Sequence, residues 1–213
     1  MRKFLFLLLI IISCKRKEEP KTHIDFQKRS DWKTENGFQK IDTILEFKYF
    51  LAKKIIPDKE YDYWQYATVF DKKGESYTYT IVQESGDTSL RKFVNKEFKL
   101  SEDSEIFGTF HSYWPGDRIA KIRNNKVTYL KSISEFRDFL GTIDNLEEAL
   151  LLAKTYGYVP SGQGKGSEYR KVKDGFKLHL TQFDGIRKEY IEVKVTKDGF
   201  LKTKSLGFEK LRR

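Results

Sequence analysis

Three Asp-Gly pairs, at 174–175, 184–185 and 198–199, punctuate the last part of the chain, and between them the residues alternate. Phe176, Leu178 and Leu180 alternate with Lys177, His179 and Thr181; Ile191, Val193 and Val195 alternate with Glu192, Lys194 and Thr196. A period of two is the mark of a strand with one apolar face, and Asp-Gly supplies tight reversals. The spacing therefore predicts strands over 169–173, 176–182, 189–196 and 200–206, folded as an antiparallel meander with one wet face. The other face has to be covered, and a covering element stands just upstream. Asn145 is a helix cap, and Glu148, three residues on, matches a capping box. Leu146, Ala149, Leu150, Ala153 and Gly157 follow at helical spacing, while Leu151, Leu152 and Tyr156 widen the apolar face.

Further upstream the pattern mixes helix and strand, so the expected class is α+β, mostly antiparallel sheet with two or three helices. Ile41, Ile44, Leu45, Lys48, Tyr49, Ala52 and Ile55 predict a helix over 42–56, with Pro57 as its stop, while Phe47, Phe50 and Leu51 broaden the stripe and admit a strand. Strands are expected at 66–70 and 76–83, joined by 71–75, and at 90–100. A hairpin is expected from 118–123 and 126–131, because Asn124 and Asn125 tolerate the positive φ of a two-residue turn. Ser134 and Gly141 frame a short helix over 134–140. The expected division is 1–13, 14–37, 38–132 and 133–213, the alternative being one continuous domain over 38–213.

The first fourteen residues read MRKFLFLLLIIISC. Arg2 and Lys3 precede an apolar run over 4–12, which is too short to span a bilayer and suits a signal peptide. Ile11-Ile12-Ser13-Cys14 resembles the lipobox of bacterial lipoproteins, and the charged run after it, Lys15-Arg16-Lys17-Glu18-Glu19, resembles the surface-export signal of Bacteroidota lipoproteins, though it opens with three bases. The lipobox resemblance implies cleavage between Ser13 and Cys14. It also implies a diacylglyceryl thioether on the Cys14 thiol and a fatty acyl group such as palmitate on the new amine. Such a protein is held by its lipids alone. Lys15 in place of Asp after the cysteine implies the outer membrane, with the protein facing the periplasm or the cell surface. Residues 15–37 are polar and aperiodic and read as a tether. Cys14 is the only cysteine, which excludes a disulfide scaffold. Residues 145–206 resemble the PepSY domain of secreted bacterial proteins, with one hairpin more, and that resemblance brings no activity with it.

Candidate chemistry is sparse. His23, His111 and His179 lack metal-ligand spacing, so no metal and no cofactor are expected. The glycine spacing of Gly157 to Gln163 imitates a phosphate loop, but the Lys and Ser/Thr that should follow are missing. Tyr61, Tyr63, Trp64 and Tyr66 crowd one segment and His111, Tyr113 and Trp114 another. If exposed, Trp64 and Trp114 would offer flat platforms for a ligand; if packed in the core they would not. The net charge of +10 includes Arg2 and Lys3 and is spread along the sequence. With no concentrated basic motif, and in an exported protein, nucleic acid is not an expected partner.

These features lead to the expectation of a membrane-anchored envelope lipoprotein. It is expected to bind a glycan, an anionic lipid or a protein, or to support an envelope assembly, without catalysis. The alternatives are a hydrolase of envelope polymers, using Asp or Glu with His111, and an inhibitor or immunity lipoprotein.

Overall fold

In the computed structural model, residues 37–46, 48–72, 76–96, 116–161, 167–183 and 187–209 are described. The fold is α+β with strands dominating, and two antiparallel sheets account for all of its named strands. The chain enters through β1 (Gln39–Lys40) and a turn of 3-10 helix at Thr43–Glu46, followed by α1 (Lys48–Ala52). The sequence predicts one helix over 42–56, and the chain forms two shorter pieces. Asp42 draws the first into a tight turn by accepting from the Ile44 N–H at 3.0 Å. Pro57 disfavours helical backbone at Ile56, so the second ends early.

A four-stranded sheet follows, built from β2 (Tyr63–Lys72), β3 (Ser76–Gly86), β4 (Gly116–Arg123) and β5 (Lys126–Tyr129) in the order β3-β2-β4-β5. Asn124 and Asn125 turn the β4–β5 hairpin at φ 52° and 62°, the left-handed backbone that a two-residue reversal requires. The strand expected at 90–100 is instead a helix where it is described: α2 (Arg91–Lys96), entered through a 3-10 turn at Thr88–Leu90. Asp87 caps that turn by accepting from the Ser89 N–H at 2.9 Å. Leu90 and Val94, four residues apart, then meet Tyr63, Ala120 and Ile122 in a small second core. Residues 97–100 of that expected strand lie outside the described residues.

Two capped helices come next, α3 (Ile133–Leu140) and α4 (Leu146–Thr155). The α3 cap is Ser132 and not Ser134. Ser132 Oγ accepts from Glu135 N at 3.2 Å, and Glu135 returns the bond by accepting from Ser132 N at 3.0 Å. The backbone N–H of Lys131 is the leading cause that holds the Glu135 carboxyl below its usual range. Ser132→Ala is expected to cost about 1 kcal/mol, read as a lowered urea midpoint, while Ser134→Ala stays near wild type. Gly141 closes α3 at φ 72°, as expected.

Asn145 caps α4, accepting from Glu148 N at 2.8 Å. Glu148 does not complete the box. Its carboxylate accepts from Ile56 N at 2.9 Å and Asp144 N at 3.3 Å, tying the chain after α1 to the start of α4. Burial pushes the Glu148 carboxyl above the ordinary range, against the pull of those N–H donors. A raised folded value means that the native state holds its proton longer than the unfolded chain does. Stability credited to Glu148 is therefore fullest in acid and falls as pH rises through that window. Urea titrations of wild type and Glu148→Gln across mildly acidic pH are expected to show wild type losing ground to the variant as pH rises.

The second sheet holds β6 (Glu168–Val172), β7 (Gly175–Phe183), β8 (Lys188–Thr196) and β9 (Leu201–Phe208) as the expected meander, with β1 added beside β6. Its apolar face presents Phe176, Leu178, Leu180, Ile191, Val193 and Val195, all buried. One core joins that face to α1, α3 and α4 and to Trp64, Tyr66 and Ile119 of the other sheet, so it draws on both expected parts, 38–132 and 133–213. From Glu148 through Ala153, α4 is buried on every side, which explains why its apolar stripe is so wide.

Candidate functional site

The second face of the meander is where the chemistry-bearing side chains gather. Strand register sets them in rows. In one row Lys40 of β1 stands opposite Glu168 of β6, which faces His179 of β7, then Glu192 of β8, then Lys204 of β9. In the neighbouring row Arg170, Lys177, Lys194 and Lys202 stand opposite one another on four successive strands. The charge that looks dispersed along the sequence is thus concentrated by folding, and a cross-strand row of four bases replaces the expected even spread.

His179 lies at the centre. Its Nδ1 is 3.8 Å from Glu168 and its Nε2 is 3.5 Å from Glu192. The Phe38 ring stacks on it at 4.2 Å, and the Arg170 guanidinium lies over the outer Phe38 ring at 4.8 Å. The result is a histidine only 2% exposed. The wet face expected from alternation is therefore closed at His179 and at Thr181, whose backbone pairs with Val159 on the strand's free flank. The carboxylates approach His179 from opposite ring edges and do not converge with it on one point. Among the described residues no group of three His, Cys, Asp or Glu side chains is placed to hold a metal ion.

Around this centre the bases are only partly matched. Glu192 lies 3.5 Å from Lys177, and Asp174 accepts from Lys194 at 2.6 Å. The Lys194 bond holds the Asp174 carboxyl below its usual range. Lys40, Lys202 and Lys204 are exposed. Like charges set directly opposite on a sheet repel, and Glu192 and Asp174 offset that repulsion at Lys177 and Lys194.

The other sequence candidates are accounted for as follows. Trp64 is 5% exposed and meets the Phe139 ring edge-on at 5.4 Å, so it is a core residue and presents no platform. Trp114, His111 and Tyr113 lie outside the described residues, as do Cys14, Ser13 and His23. Tyr63 and Tyr66 are buried with their hydroxyls engaged. Tyr63 donates to Glu84 at 2.6 Å, with the Gln65 side-chain amide 2.8 Å from the same hydroxyl, and Tyr66 donates to Asp117 at 2.8 Å. Burial, seconded by those carboxylates, raises both phenols. These are structural contacts that let polar groups enter the core. Gly157 sits just past the end of α4 at φ 84°, so the glycine-spaced segment leaves a helix and does not open one.

No family model, no curated protein and no solved structure matches the chain.

Proposed function

We propose that this is a lipid-anchored envelope protein that works by binding and not by catalysis. Cys14 carries the anchor, residues 15–37 form the tether, and the folded part displays the charged face of the meander on the outer membrane. The observation that supports the binding reading is the charged face of the meander, on which His179 is sealed beneath Phe38. A general base must reach a substrate proton. His179 is 2% exposed beneath Phe38 and flanked by two glutamates, so what this face offers a partner is charge and area.

The test is membrane fractionation of cells expressing wild type or Cys14→Ala, with protease applied to intact and to lysed cells. Wild type is expected in the membrane fraction and Cys14→Ala in the soluble fraction. Digestion on intact cells assigns the folded part to the surface, and digestion only after lysis assigns it to the periplasm. If Cys14→Ala stays in the membrane like wild type, the anchor reading is overturned.

A further inference from the structure

We infer that the charged face of the meander docks on an anionic lipid bilayer, with Arg170, Lys177, Lys194 and Lys202 gripping headgroup phosphates. The inference rests on the anchored reading above for the side from which the membrane is presented.

The geometry suits a broad anionic surface. Adjacent strands stand about 4.8 Å apart, so the four bases form a line of roughly 14 Å across the sheet. Lys40 and Lys204 extend the positive field at the two ends of the next row. The acids on this face are already engaged: Glu168 and Glu192 flank His179, and Asp174 holds Lys194. No single phosphate touches four cations spread along such a line, whereas a field of headgroups does.

Inside the fold the repulsion along the row is only partly offset: Lys177 pairs with Glu192, Lys194 with Asp174, and Arg170 lies over Phe38. Burial does not require the row, because the apolar residues of these strands face the other way. A multivalent anion relieves the repulsion, and the attraction acts within a Debye length, about 8 Å at physiological salt. The path of the chain agrees. Gly37 leads into β1 at the margin of this same sheet, and Phe38 lies on this face over His179. Fully extended, the chain between Cys14 and Gly37 spans up to about 80 Å, so the anchor leaves the face within reach of the lipid surface. Tethering then raises its effective concentration there.

The experiment uses the membrane-purified full protein reconstituted into vesicles of phosphatidylcholine alone or with one third phosphatidylglycerol. Lysine acylation is followed residue by residue by mass spectrometry, and the mass of the Cys14 peptide reports lipidation in the same run. The expected result is several-fold protection of Lys194, Lys202 and Lys204 on the anionic vesicles only, abolished by high salt. In the variant Lys177→Gln/Lys194→Gln/Lys202→Gln, protection of Lys204 is expected to fall roughly a hundredfold in the salt-corrected binding constant. Its melting curve beside wild type reports whether it folds. The corresponding triple Lys→Arg variant should bind as wild type does, which covers the case of a Gln variant that fails to fold.

Lipidated Cys14 with equal labelling on both vesicles overturns the docking inference and leaves the anchor standing. Unlipidated Cys14 with retained protection removes the anchor and leaves the docking. Abolition by millimolar inorganic phosphate assigns the row to a free anion, and preference for a soluble acidic polysaccharide over the vesicles assigns it to a glycan. Either outcome overturns the bilayer as partner.

Discussion

Gly175→Ala is expected to destabilise the protein by about 2–4 kcal/mol, read as a large fall in the urea midpoint. Gly175 opens β7 opposite Val172 on one side and Thr196 on the other, so it lies inside the sheet. Its φ is 138°, and an added Cβ would stand 2.0 Å from the Val195 carbonyl oxygen. Neither the backbone nor that oxygen is free to give way without breaking the β7–β8 ladder. Gly207→Ala is the control. Its φ of 113° carries similar backbone strain, but no atom lies within 4 Å of the new Cβ. The difference between the two variants measures the clash alone. Equal losses would mean that the steric account of Gly175 is wrong.

Phe139→Ala is expected to cost about 3–5 kcal/mol, the usual loss when a fully buried aromatic is cut back to a methyl. Phe139 is 0% exposed and sits between Tyr61, at 5.5 Å, and the edge of Trp64, at 5.4 Å. It joins α3 to β2, so the cavity opens where helix and sheet meet, between partners held by other contacts. Phe139→Leu fills most of the volume and is expected to cost about 1.5 kcal/mol. Thermal unfolding of both variants beside wild type checks the order. A Phe139→Ala protein within 1 kcal/mol of wild type would show that the surroundings collapse into the space.

The legible parts of this fold are those where a local rule and the tertiary answer agree. Alternation in 189–196 and the cap at Asn145 rest on nearest neighbours, and they survive folding; in 176–182 the apolar face survives, while His179 and Thr181 on the other face are buried. The failures share a cause. Glu148 fits a capping box by spacing, but Ile56, which takes part of its carboxylate, is far away in sequence. Leu90 and Val94 read as part of a strand, and only the fold shows Tyr63, Ala120 and Ile122 meeting them on one face of a helix.

The charged row was hidden for a sharper reason. With Asp174-Gly175 as the turn, Arg170 would face His179. The turn is in fact Lys173-Asp174, with Gly175 already paired to Val172, and this sets Arg170 against Lys177. A shift of that kind leaves every strand where the pattern puts it and changes all of its cross-strand partners. The closure over His179 was likewise out of reach. It depends on Phe38, at the end of a segment whose composition resembles a spacer.

Where the upstream chain joins the fold also decides how it responds to load. Force transmitted along residues 15–37 enters at Gly37 and falls first on β1, a two-residue strand at the sheet margin. The bonds there, Gln39 and Lys40 against Tyr169 and Glu168, then Ile41 N to the Ser167 carbonyl, are the first that a load entering at Gly37 meets, ahead of the longer ladders of β7, β8 and β9. The first element to yield carries Phe38 away with it, so the mechanical fuse of this protein is also the cover of its buried histidine.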